Sequence, residues 1–314
     1  MRFLRQFALC APLLLLGSCS AVDLTIFHPV GRVAKAEYHY TVVLVAVMMI
    51  IILPTFFLTV IFPLRYRKSR NATYTPNWSH STVIEVLAWG IPFAITAVLI
   101  HYSFAGVYAV NPYDPTALDK SPGSALPPIK VDVVSTDWQW FFVYPEGHIA
   151  TIDDLVVPAG RRIEFRLTST SVMNGFYIPS VMPMMDAMPG MRTIDTFEVD
   201  YPGTFKGFST DFSGAGFSWM QFAVRVLPQA DYDAWVKSVQ ADPNTLSYAT
   251  FTKLAHPTVN VGAKPSYFSS PDPELFNKVV SDAMNGVVYP VSDALTKSVS
   301  SNEGKAPAPA PASP

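Results

Sequence analysis

Apolar positions are concentrated in two unbroken runs. Residues 41–64 and 86–110 contain no Asp, Glu, Lys or Arg. A helix needs about 20 apolar residues to cross a bilayer, so each run predicts a transmembrane helix. Pro54 and Pro63 are expected to kink or end the first. Glu85 sits where the second begins, and that helix is set at 83–110. Between them, residues 65–82 carry Arg65, Arg67, Lys68 and Arg70 and no acid. Basic loops stay in the cytoplasm, which places the chain before the first run and after the second outside.

Past residue 110 the pattern changes. Residues 111–128 form a proline-rich linker. Short apolar or alternating stretches follow at 129–135, 138–144, 149–156, 162–168, 193–199, 204–209 and 218–226, with Gly, Pro or Asp between them. Strands at this spacing predict a β-sandwich or barrel over 129–228. Amphipathic patches at 230–240, 247–255 and 273–284 predict a helical segment over 229–290. The remainder, 291–314, ends in alternating Ala and Pro and is expected to be disordered.

At the N-terminus, Arg2 and Arg5 precede a short apolar run that ends in Leu16-Gly17-Ser18-Cys19. This is the layout of a signal peptide over 1–18. The small residues before Cys19 resemble a bacterial lipobox, in which the cysteine is diacylated and begins the mature chain. An ordinary signal peptide with a chance cysteine is the alternative. Lipid adds about 0.8 kcal/mol of membrane affinity per buried CH₂. The anchor would hold segment 19–40 at the outer face of the inner membrane, the side that the basic loop also requires.

Composition narrows the class. Half the residues are hydrophobic, 15% are charged and the net charge is −2; the mean hydropathy is +0.25. No basic stripe is present to bind nucleic acid. Cys10 and Cys19 are the only cysteines, so the outer domain can hold neither a disulfide nor a thiolate metal site. We find no nucleophile–base arrangement and no phosphate-binding glycine loop.

Four blocks then carry a resemblance. They are Trp138-Gln139-Trp140-Phe141-Phe142; Val172-Met173-Asn174-Gly175-Phe176-Tyr177-Ile178-Pro179; Ala187-Met188-Pro189-Gly190-Met191; and the segment from Ser209-Thr210-Asp211-Phe212-Ser213 to Phe217-Ser218-Trp219-Met220. With the two-span hairpin before them, the chain resembles subunit II of the haem–copper oxidase superfamily over roughly residues 20–285. The resemblance implies a membrane hairpin followed by a cupredoxin-like β-sandwich with C-terminal helices. In the cytochrome c-oxidising branch that domain holds a binuclear copper centre on two cysteines, two histidines, a methionine and a glutamate carbonyl. Soft thiolate and imidazole donors suit such copper.

Mapped onto this chain, the first histidine becomes Asn174, the cysteines become Ser209 and Ser213, the glutamate becomes Asp211 and the second histidine becomes Phe217. Met220 alone is kept. None of His28, His39, His80, His101, His148 and His256 falls at a ligand position. The resemblance therefore points to the quinol-oxidising branch, of cytochrome bo or ba type. There ubiquinol delivers electrons directly to a haem-bearing subunit I, which also holds the catalytic copper. This chain is expected to carry no cofactor and no active site of its own. It would serve as scaffold for subunit I and further subunits in a proton-pumping complex of the bacterial inner membrane.

Other residues carry finer expectations. In the family, a glutamate at the position of Glu85 marks the mouth of a proton channel; the alternative is a surface acid favoured by a helix N-terminus. Trp138 and Trp140 are expected in core or interface. Met182, Met184, Met185, Met188 and Met191 are expected to pack against subunit I rather than bind Cu(I). Asp211 is set down as a solvated loop acid, with help to a boundary Mg²⁺ as the rival. His101 is expected to be packed and hydrogen-bonded. Two rival readings of the whole stand beside this one: subunit II of a cytochrome c oxidase, and a free-standing lipoprotein with a β-sandwich binding domain.

Overall fold

The computed structural model describes residues 27–70, 77–114, 126–259 and 264–290. The signal peptide, Cys19 and the tail 291–314 lie outside the described residues. Helix α1 spans Arg32–Arg65 and α2 spans Thr82–Ala109, with a 3₁₀ turn at Lys68–Arg70. Segment 19–40 was expected to precede the first helix, but α1 already begins at Arg32. Nor does either proline end it: the helix runs through Pro54 and Pro63. The Thr55 and Thr59 hydroxyls donate to the carbonyls of Ile51 and Thr55. A Cβ on Gly106 would lie 3.3 Å from the Tyr40 ring, so the glycine lets the two helices approach closely. Apolar side chains such as Phe56, Trp89 and Phe93 point outward on both helices. Only lipid or a partner can cover them.

The outer domain is two packed sheets. Its strands are β1 (Ile129–Ser135), β2 (Trp140–Tyr144), β3 (Ile149–Ile152), β4 (Asp154–Pro158), β5 (Arg162–Ser169), β6 (Asn174–Ile178), β7 (Met182–Ala187), β8 (Thr193–Glu198), β9 (Gly203–Ser209), β10 (Gln221–Leu227) and β11 (Ser266–Ser269). One sheet has the order β11-β3-β2-β1-β5-β8, the other β4-β10-β9-β6-β7. The expected strand 149–156 is two strands in different sheets. Asp153 breaks it: its φ is 58° and its carboxylate accepts from the Trp140 amide at 2.8 Å. The stretch 218–226 begins with a 3₁₀ turn at Phe217–Trp219, and its strand starts at Gln221. Strands β6, β7 and β11 were not expected from the pattern.

Between the sheets, Phe176 and Phe222 stack at 5.1 Å, with Trp140 against both. The alternate positions of β2, Phe141 and Val143, face the other way and are buried too. Helices α3 (Gln229–Gln240), α4 (Tyr248–Leu254) and α5 (Leu275–Met284) complete the domain. Phe251 of α4 and Phe276 and Val279 of α5 join Phe141 in a second core on the outer face of that sheet.

The hairpin meets the domain at β8. The Val30 amide donates to Ser180 O at 2.6 Å. Gly31 has φ 85°, and a Cβ there would lie 1.9 Å from Glu198 O, so only glycine lets the chain cross the strand. From the linker after α2, the Tyr113 hydroxyl accepts from the Ile194 amide at 3.1 Å.

Candidate functional site

Three of the expected ligand positions, Asn174, Ser209 and Met220, meet at one end of the sandwich. Asn174 opens β6, Ser209 closes β9, and Met220 immediately precedes β10. Asn174 is fully buried; its amide nitrogen donates to Ser135 Oγ and to Val172 O, both at 3.2 Å. Its oxygen accepts from the Ser209 hydroxyl at 3.3 Å. The Ser209 amide donates to Met220 O at 3.1 Å, and Met220 is buried. Ser213 O accepts from Trp138 Nε1 at 3.0 Å. Phe217 stacks edge-on against Phe212, which is exposed.

Two close approaches shape the loop. A Cβ on Gly175 would lie 1.9 Å from the Thr210 hydroxyl, and one on Gly216 would lie 2.3 Å from the Trp138 ring. These residues bring the mapped positions together, but as an amide–hydroxyl network, a phenyl ring and a buried thioether. Amide and hydroxyl groups already bonded to each other do not fit a bridged copper pair, which needs anionic sulfur. Among the described residues no group of three or more His, Cys, Asp or Glu side chains could hold a metal ion.

The same end has unmet polar atoms. Thr210 Oγ1, Asp211 Oδ2, Ser213 Oγ, Trp219 Nε1 and, from β7, Asp186 Oδ1 are buried without a hydrogen-bond partner among the described residues. Burial pushes the Asp211 carboxyl above its usual value, and the nearby Asp186 adds to the rise. Asp211 is thus not the freely solvated acid expected of it. Buried polar atoms in folded proteins are almost always satisfied, so a cluster of orphans marks a face that another surface or water completes. Val172, Met173, Met191 and Phe212 are exposed around it.

The remaining expected residues scatter. Glu85 lies in the first turn of α2, where its carboxylate meets His80 Nε2 at 3.2 Å. That partner was missed; a histidine five residues before an acid at a helix start was the available signal. Trp140 is in the core, and Trp138 is buried against Gly214 and Gly216. Met182 is buried, Met184 and Met191 are exposed, and Met185 is half-buried against the core, so the methionines of β7 face different ways. His101 is not packed within this chain: it is exposed on α2, with an edge-on contact to Tyr102 at 5.9 Å.

Comparison with known proteins gives this geometry a family. Residues 145–227 match the family described as cytochrome c oxidase subunit II, periplasmic domain, and residues 240–286 match the COX aromatic rich motif. The cytochrome bo(3) ubiquinol oxidase subunit 2 of Buchnera aphidicola subsp. Baizongia pistaciae is 39% identical over 90% of this chain and 96% of its own length. The protein of the same name from Pseudomonas aeruginosa is 37% identical over 86% of this chain and 78% of its own. The ubiquinol oxidase subunit 2 of Acetobacter aceti is 36% identical over 88% and 87%. With two apolar helices, a two-sheet outer domain and this identity over most of its length, the chain belongs to the ubiquinol oxidase subunit 2 family.

Proposed function

We propose that this chain is the non-catalytic subunit II of a proton-pumping oxidase that passes electrons from ubiquinol to O₂. The observation that carries the reading is the Asn174–Ser209 hydrogen bond where the copper branch has imidazole and thiolate. Asparagine, serine and phenylalanine offer no redox couple within reach of a biological donor, so the outer domain relays no electrons. They reach the haems and copper of subunit I from a donor dissolved in the membrane. The orphaned polar atoms and exposed Met and Phe side chains around Asp211 support docking of this end on subunit I.

Glu85, with His80 beside it, stands at the cytoplasmic end of α2 and serves as proton uptake point for a channel into subunit I. A carboxylate at the membrane edge usually faces a polar partner or water. Cys19 is the lipid-anchored first residue of the mature chain in the bacterial inner membrane, with the large domain in the periplasm.

The test is the complex purified through this chain from its own membranes. Turnover with ubiquinol, none with reduced cytochrome c, and no near-infrared copper band from the outer domain are expected. Turnover driven by cytochrome c would assign the chain to the copper branch, and recovery without a haem-bearing partner would favour a free-standing lipoprotein. The mass of the mature N-terminal peptide reads the lipid on Cys19.

A further inference from the structure

The junction between hairpin and barrel forms an open-sided cavity of about 260 Å³ that electron transfer does not use. Glu37, Tyr38 and Thr41 of α1 line one side; Tyr177, Pro183 and Met184, around the β6–β7 turn, line the other. Thr41 opens the uncharged run of α1, so the cavity lies where the apolar interior of a bilayer gives way to headgroups. Glu37 stands one turn farther out, half-buried. No lining residue is basic. Lys35, on the same helix, is held by Asp200 at 3.4 Å.

A second acid lies close enough to Glu37 to feel its charge. The Thr193 hydroxyl donates to Asp186 O at 2.6 Å, a contact between β7 and β8, and Asp195 follows two residues on in β8. Asp195 is 2% exposed. Its Oδ1 accepts from the Thr196 amide at 2.7 Å, and its Oδ2 has no hydrogen-bond partner among the described residues. Burial raises its carboxyl to about 7, and the charge of Glu37 contributes to the rise. Burial and then the same charge push the Tyr177 hydroxyl upward. Glu37 thus lines, and Asp195 lies near, a cavity whose lining has tyrosine rings, apolar walls and no cation.

We propose that this cavity holds the primary-ammonium headgroup of a membrane phospholipid, with Glu37 as its counter-ion. An ammonium offers three donors and is attracted to aromatic faces, here those of Tyr38 and Tyr177. Pro183 and Met184 meet the glycerol and upper acyl carbons. A headgroup that is anionic and lacks an amine is repelled by the same carboxylates. A bound cation favours the ionised form of nearby Asp195, so binding strengthens as pH rises. The proposal rests on α1 crossing the membrane and not on the identity of the electron donor.

The complex purified through this chain is reconstituted into vesicles of phosphatidylethanolamine or phosphatidylglycerol and re-extracted. Retained lipid is then counted by native mass spectrometry. The wild type is expected to keep one phosphatidylethanolamine that Glu37→Gln holds about tenfold more weakly, since the charge-assisted contact is lost. Met184→Trp, which fills the cavity and leaves Glu37 in place, should lose it as well. Equal retention by wild type and both variants, or equal retention of phosphatidylglycerol, would overturn the proposal. So would carbodiimide coupling of Glu37 to a lysine of another subunit, because a protein cation would then fill the cavity. Quinol turnover of the same samples reads the oxidase role separately.

Discussion

At Asn174 both polar ends of the side chain are engaged, by Ser135 and Val172 on one side and Ser209 on the other. Restoring one ligand type there does not restore a site. Asn174→His should bind no copper, because two hydroxyls remain where thiolates are needed. It should also destabilise the domain by about 1–3 kcal/mol by stranding buried hydroxyls. Copper content and thermal unfolding of the assembled complex check both. Glu85 is a different case, since the part proposed for it is in proton transfer. Positioned acid–base groups contribute about 100-fold or more, so Glu85→Ala should slow turnover at least about tenfold in the intact complex. Unchanged proton uptake and turnover would remove Glu85 from that role.

Asp195 gives the pH dependence. Its ordinary value is 3.8 and the folded value is about 7. Below 3.8 both folded and unfolded chains hold the proton, and burial costs nothing extra. As pH rises from there, the unfolded chain gives up its proton while the folded chain resists, so stability falls until the pH passes about 7. Above that the loss is constant, of the order of 4 kcal/mol at about 1.4 kcal/mol per unit. Asp195→Asn keeps the contact from the Thr196 amide and removes the penalty. Its melting temperature at pH 8 should exceed that of the wild type, with the two converging near pH 4.

Among the elements, β2 has the plainest logic. All five of its residues are buried, because one face meets the opposite sheet and the other meets α4 and α5. A run of five buried residues does not alternate, which is why the pattern there read only as apolar. Strands β9 and β10 pack differently, through a missing side chain. A Cβ on Gly207 would lie 2.0 Å from the Phe222 ring, which is itself stacked on Phe176. Gly207→Ala should therefore cost about 1–3 kcal/mol through overpacking. Phe222→Ala, which empties the same space, should cost about 3–5 kcal/mol. Denaturation of the two variants separates crowding from cavity, and no loss in Gly207→Ala would show that the ring can move aside.

At the scale of the whole molecule, charged pairs tie distant segments together. Asp154 of β4 accepts from Arg225 Nη2 at 2.5 Å and from Tyr267 of β11 at 2.8 Å. It thereby joins the edges of both sheets to the C-terminal segment. Removing one partner of a buried pair strands the other, at about 3–5 kcal/mol. Arg225→Met should reach that range in thermal unfolding, whereas breaking the exposed pair of Lys35 and Asp200 should cost under about 1 kcal/mol.

What could be read from residue order alone was whatever depends on local chemistry. A charge-free run must find lipid or a core wherever it lies, so both apolar helices and their basic connector were visible. Contacts between residues far apart in the chain were not. Asp153 divides one apolar stretch between two sheets because its left-handed backbone turns the chain there. The β11 strand, four residues long, exists because the edge of β3 is free to pair with it. Helix α1 extends out to Arg32 because β7 and β8 receive its first turns, and the charge of Glu37 reaches Asp195 for the same reason. Sequence spacing carries hydropathy and backbone preference; which surfaces close on one another, and which acids they trap, is set by packing in three dimensions.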